Sequence, residues 1–130
     1  MKNKISLSEP FFNKDDFTLL KKCIQKGWVS TSGEYIEEFE KKISKYTGSK
    51  YAVATINGTS ALQISIKLAG VMPDDEVIIP TLTFIAPVNA IKYNLANPIF
   101  IDVDNYCNLD ENKTIDFITN HTVFKNGSTF

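Results

Sequence analysis

The residues best suited to chemistry are Asn57-Gly58-Thr59-Ser60-Ala61-Leu62, which directly follow the apolar run Tyr51-Ala52-Val53-Ala54-Thr55-Ile56. If that run is a strand and the segment opens a helix, the first helical turn presents N–H groups without intrahelical partners at the positive end of the helix dipole. An anion such as a phosphate settles there. Gly58 lets the backbone approach closely, and Thr59 and Ser60 add hydroxyl donors. The same residue types also serve as plain helix caps, so this segment by itself leaves both readings open.

Two further short segments carry chemistry of their own. Pro80-Thr81-Leu82-Thr83-Phe84 places an aromatic ring beside two hydroxyls, and Asp102-Val103-Asp104 places two carboxylates behind the apolar run Pro98-Ile99-Phe100-Ile101. In parallel α/β sheets ligands gather at the carboxyl ends of strands, and all three segments fall there. A phosphate anchor with a neighbouring ring suits a planar, phosphorylated cofactor. The carboxylate pair also resembles the D-x-D of metal-dependent glycosyltransferases, in which a divalent ion is held against a nucleotide diphosphate. An Asp at a strand end serves as often to cap a turn. Phe84 can equally be a core residue, and Trp28 can simply staple its loop.

The elements that must position these residues follow from periodicity. Phe17, Leu20 and Ile24 predict a helix over about 13–26, with Asn13 as N-cap and Gly27 as its stop. Ile36, Phe39, Ile43 and Tyr46 predict a second over 32–46, with Thr31 and Glu34 as a capping box. Pairs Glu37-Lys41 and Glu38-Lys42 fall on its solvent face. After Gly48 the rhythm becomes β/α: strands at 51–56, 76–79 and 98–103, a helix from Gly58 to Gly70, a third from about Phe84 to Tyr93 and a short one over 110–118. The expected architecture is a helical segment over 1–48 and the start of a mostly parallel sheet over 49–130. Three strands with uncovered edges make a poor free-standing sheet, so the chain reads as the beginning of a larger domain.

Composition narrows the function classes. Hydrophobic residues make up 43% of the 130, enough for one core and one compact unit, and the net charge is −1. Fourteen basic and fifteen acidic side chains are interspersed, which speaks against a nucleic-acid partner. No apolar run suits a signal peptide or a membrane span, and the expectation is a cytoplasmic protein with no membrane partner. Cys23 and Cys107 are far apart, without metal or redox spacing, and are expected to be buried thiols. The single histidine, His121, falls in a polar stretch and carries no assignment.

Taken in order, Gly27-Trp28-Val29-Ser30, Gly33, Phe39-Glu40, Asn57 to Leu62, Asp75-Glu76-Val77-Ile78, Pro80 to Ala86 and Pro98 to Asp104 resemble the DegT/DnrJ/EryC1/StrS sugar aminotransferases. The resemblance runs over about residues 5–112. It implies the large domain of a pyridoxal-phosphate enzyme of the aspartate-aminotransferase fold (fold type I), which aminates a nucleotide-linked keto sugar with glutamate as donor. The branch it is most similar to acts on UDP-linked 4-keto-6-deoxy amino sugars on the way to bacillosamine- or legionaminic-acid-like surface glycans. By motif, Gly58, Thr59 and Ser60 would hold the cofactor phosphate and Phe84 would stack on its pyridine ring. Trp28, Val29 and Ser30 would border the sugar substrate, in a homodimer whose partner completes the site. The family's Schiff-base lysine and the aspartate facing the pyridine nitrogen have no match here, and neither Lys113 nor Lys125 stands in a matching context. The expectation is an N-terminal part, inactive alone; the rival is a non-catalytic partner of a full-length homologue.

Overall fold

The computed structural model describes residues 5–125 and 128–129. The chain divides into two compact units, one reaching to Ala54 and one starting at Thr55, where a single unit was expected.

In the first unit, α1 (Lys14–Gln25) starts with a capping box. The Asn13 side chain accepts from the N–H groups of Asp15 and Asp16 at 2.8 and 3.1 Å, and Asp16 accepts in return from the Asn13 N–H at 2.8 Å. The helix ends at Lys26, and Gly27 turns the chain away with φ 75°. Helix α2 (Glu34–Thr47) ends on Gly48 with φ 73°. The capping box expected from Thr31 and Glu34 does not form. Gly33 is the N-cap, so Thr31 lies too far upstream to reach the first turn, and the Glu34 carboxylate instead takes the Lys26 ammonium. The two i,i+4 pairs form as the spacing predicts, at 3.8 Å for Glu37-Lys41 and 2.7 Å for Glu38-Lys42.

The second unit is the α/β half. It runs through α3 (Gly58–Leu68), β1 (Glu76–Pro80), α4 (Ile85–Tyr93), β2 (Asn97–Ile101), α5 (Glu111–His121) and two short strands, β3 (Phe124–Lys125) paired antiparallel with β4 (Ser128–Thr129). Strands β1 and β2 are parallel, in register from Glu76↔Asn97 to Pro80↔Ile101. The core forms where α3 and α4 meet this sheet: Ile79, Ile91 and Ala96 are buried, and Ile66, Val71, Val77 and Val88 pack on them. The Asn94 side-chain amide fastens the end of α4 to α3 through the Gln63 carbonyl at 3.0 Å.

The structure corrects three further expectations. Residues 51–56 are not a strand, and the parallel sheet has two strands instead of three. A strand exists only by pairing, and no segment of the described chain pairs with this one. Strand β2 ends at Ile101, after which Val103 makes only an isolated antiparallel bridge to Leu109. Neither cysteine is buried: Cys23 is half-buried, and Cys107 is exposed in the turn that returns Leu109 to Val103, with φ 64°.

Candidate functional site

The Gly58 cup forms as a helix N-terminus. Asn57 is the N-cap of α3, and its side-chain oxygen accepts the Ser60 N–H at 2.9 Å. The Ala61 N–H returns to the Asn57 carbonyl at 3.2 Å. Among the described residues, the N–H groups of Gly58 and Thr59 have no acceptor. Asn57 itself is steadied by the Thr55 hydroxyl, which donates to its carbonyl at 3.0 Å. Thr59 and Ser60 are half-buried, Gly58 is exposed, and nothing lies within 4 Å of where a Cβ on Gly58 would stand. Cap and cup therefore coexist: the Ser60 N–H is taken by the Asn57 cap, and two donors are left without an acceptor among the described residues, in a turn that also carries two hydroxyls.

Phe84 belongs to the same unit. It is the N-cap of α4, in extended conformation, and the residue is 85% exposed. That settles its alternative role as a core residue against the core. The turn before it is tied to the end of β2, since the Thr81 N–H donates to the Ile101 carbonyl at 3.0 Å and the Thr81 hydroxyl to Asp102 at 3.3 Å.

Both carboxylates of Asp102-Val103-Asp104 have protein donors. Asp102 accepts from the Val103 N–H at 2.9 Å, from Thr81, and from the Lys113 ammonium at 2.8 Å. Asp104 accepts from the N–H groups of Tyr106 and Asn108 at 2.8 and 2.9 Å, closing the turn around Cys107. The hydrogen bond from Lys113, helped by that of Val103, holds the Asp102 carboxyl below the usual carboxylate range, and the same contact raises the Lys113 ammonium. These oxygens serve the turn and the β2–α5 connection, and nothing in this arrangement favours the metal-dependent reading. Sequence reasoning missed Lys113 as the partner of Asp102. Lys113 sits 11 residues away on α5 and is brought in because the Asp110 side chain caps that helix on the Lys113 N–H at 3.0 Å.

Trp28, Val29 and Ser30 lie in the first unit, in the loop between α1 and α2. The loop opens with hydrogen bonds from the Gly27 and Trp28 N–H groups to the carbonyls of Ile24 and Cys23, at 3.1 and 3.0 Å. The structure brings the cup and Phe84 onto one unit and these three residues onto the other.

A family model described as the DegT/DnrJ/EryC1/StrS aminotransferase family matches residues 11–125. The GDP-perosamine synthase of Escherichia coli O157:H7 is 42% identical over 101 residues, covering 78% of this chain and 28% of that protein. The GDP-perosamine synthase of Caulobacter vibrioides is 38% identical over 120 residues, 92% of this chain and 32% of that protein. A structure described as a sugar aminotransferase of Streptococcus pneumoniae in its PLP form superposes with a TM-score of 0.78 at 27% identity, over 85% of this chain and 28% of that one. The chain thus spans less than a third of the length of each. The residues present fit a bound pyridoxal phosphate: two N–H groups without a protein acceptor and two hydroxyls at a helix start suit its phosphate, and an exposed aromatic residue suits its pyridine face.

Proposed function

Because the chain belongs to the DegT/DnrJ/EryC1/StrS family of pyridoxal-phosphate-dependent sugar aminotransferases, we propose that it forms the N-terminal part of the large domain of an enzyme that aminates a nucleotide-linked 4-keto-6-deoxy sugar. Glutamate is the donor, the product serves surface glycan biosynthesis in the cytoplasm, and the intact enzyme is a homodimer. Residues 1–48 are its helical entry, and 49–130 begin its sheet. The observation that carries this reading is the start of α3, where the unpartnered N–H groups of Gly58 and Thr59 stand beside the hydroxyls of Thr59 and Ser60.

In this reading the Gly58 and Thr59 N–H groups and the Thr59 and Ser60 hydroxyls donate to the cofactor phosphate. Phe84 covers one face of its ring, and Trp28, Val29 and Ser30 border the sugar. Bound pyridoxal phosphate supplies the electron sink for moving an amino group. The described residues bind and orient; none is assigned the proton transfers. Lys113 is unsuited to them, because its ammonium is held charged between Asp102 at 2.8 Å and Asp110 at 3.8 Å. In this reading, as the motif resemblance implies, the covalent lysine is not among these 130 residues.

Titration of the chain with pyridoxal phosphate, followed by absorbance, tests the cup. Saturable binding is expected, weakened in Ser60→Ala and Thr59→Val through the phosphate and in Phe84→Ala through the ring. Incubation with the cofactor, glutamate and a UDP- or GDP-linked keto sugar should yield no amino sugar. Both nucleotides belong in the assay, because the motif resemblance points to UDP and the two relatives carry GDP in their names. Turnover by the chain alone would overturn the assignment of the lysine.

A further inference from the structure

The loop carrying Trp28 is held from both ends. Lys26 and Glu34 flank it and close on each other, Nζ to Oε1, at 2.5 Å. Inside that clasp, Gly33 has φ 149° and ψ 162°, a conformation that is essentially restricted to glycine. A Cβ placed on Gly33 would stand 3.3 Å from the Cβ, Cγ and Cδ2 atoms of Trp28. The indole therefore rests against bare backbone on one side, while 47% of the residue stays open to solvent. An aromatic side chain seated on backbone and left half open is a preset stacking surface, whose ordering is not a cost of binding.

We propose that Gly33, together with the Lys26–Glu34 ion pair, is a positioning residue for Trp28: it seats the indole so that its open face meets a nucleoside-diphosphate sugar. This rests on the placement of Trp28, Val29 and Ser30 beside the sugar substrate under Proposed function. Gly33 touches no substrate and acts only through Trp28. Any other residue at position 33 must strain the backbone and push the ring at once.

Trp28 is the only tryptophan of the chain, so intrinsic fluorescence reads this loop directly. Gly33→Ala should shift the emission maximum and change quenching by acrylamide. Gly48→Ala provides the matched control, since Gly48 also has positive φ but nothing lies within 4 Å of its would-be Cβ. It should leave the Trp28 spectrum unchanged. Lys26→Met should loosen the ring toward the Gly33→Ala state, and Lys26→Arg should restore it. Circular dichroism confirms that α1 and α2 persist in each variant. An unchanged spectrum in both Gly33→Ala and Lys26→Met, or equal shifts in Gly33→Ala and Gly48→Ala, overturns the positioning role. Titration with GDP-mannose and UDP-N-acetylglucosamine should quench Trp28 in the wild-type chain, with the dissociation constant raised about tenfold in Gly33→Ala. A displaced ring with unaltered affinity overturns the link to substrate. Absence of quenching by either sugar in the wild-type chain overturns the placement of Trp28 at the substrate, while the emission comparison still decides what Gly33 does.

Discussion

Helices α1 and α4 obey opposite rules. Helix α1 carries a clean apolar stripe, yet Phe17 and Ile24 are 65% and 62% exposed and no residue of the helix is buried. Helix α4 has little amphipathic contrast, yet Ala90 and Ile91 are among the most buried residues of the molecule. The difference extends to the two units. Among the described residues every buried side chain, Ile79, Ala90, Ile91, Ala96 and Ile101, belongs to the unit that starts at Thr55. An amphipathic pattern states which face a helix would bury, and the tertiary packing around that face decides whether it is buried.

The largest test of this contrast is truncation on each side of it. Ile91→Ala removes a side chain that is 2% exposed and should cost about 2–5 kcal/mol in urea unfolding. Ile24→Ala, on the exposed stripe of α1, should stay within about 0.5 kcal/mol. Comparable losses would mean that α1 is packed far more tightly than its exposure indicates.

Helix caps should divide the two halves less sharply. Asn13→Ala and Asn57→Ala each remove an N-cap acceptor and should cost about 1 kcal/mol by the same measurement. Only Asn57→Ala also frees the Ser60 N–H at the cup. It should therefore tighten binding of inorganic phosphate, measured by calorimetry, where Asn13→Ala leaves it unchanged.

A smaller effect, of opposite sign, is expected beside the core. Leu95 follows α4 with φ 62° and is 67% exposed, so it bears left-handed strain with little burial in return. Leu95→Gly should raise stability by up to about 1 kcal/mol. A loss would show that the part of Leu95 in contact with its neighbours outweighs the strain.

The most subtle test is pH. The folded pKa of Asp102 is lowered, first by the hydrogen bond from Lys113, and that of Glu38 by the one from Lys42. A depressed carboxyl contributes stability above its unfolded pKa and loses it as pH falls through the folded value. Lys113, raised by Asp102, contributes below its unfolded pKa and loses that contribution as strongly alkaline pH passes the folded value. Carboxyl resonances followed by NMR should show Asp102 returning toward the ordinary range in Lys113→Met, with Glu38 unmoved. A shift of both would reveal a common cause in place of two local pairs.

Much of the fold was legible in short-range spacing. The cap Asn13, the stops at Gly27 and Gly70, the Glu37-Lys41 and Glu38-Lys42 pairs and the helix beginning at Gly58 all depend on residues within a few positions of one another. The family resemblance was legible for the same reason, because it rests on short motifs kept in order. Where the reading failed, the missing information was long-range. Residues 51–56 have strand composition, but pairing needs a second segment, and composition does not supply one.

The same division runs through the candidate site. By itself the sequence determined a glycine and two hydroxyls at a helix start, an aromatic residue after a strand and a carboxylate pair after another. Only the tertiary structure decided that Phe84 faces solvent, and that Asp102 is committed to Lys113 and Thr81, 11 and 21 residues away. It also decided that Glu34 clasps Lys26 instead of capping its own helix. Local geometry follows from the covalent order of a few residues, whereas a side chain's partner depends on which distant segments the core draws together.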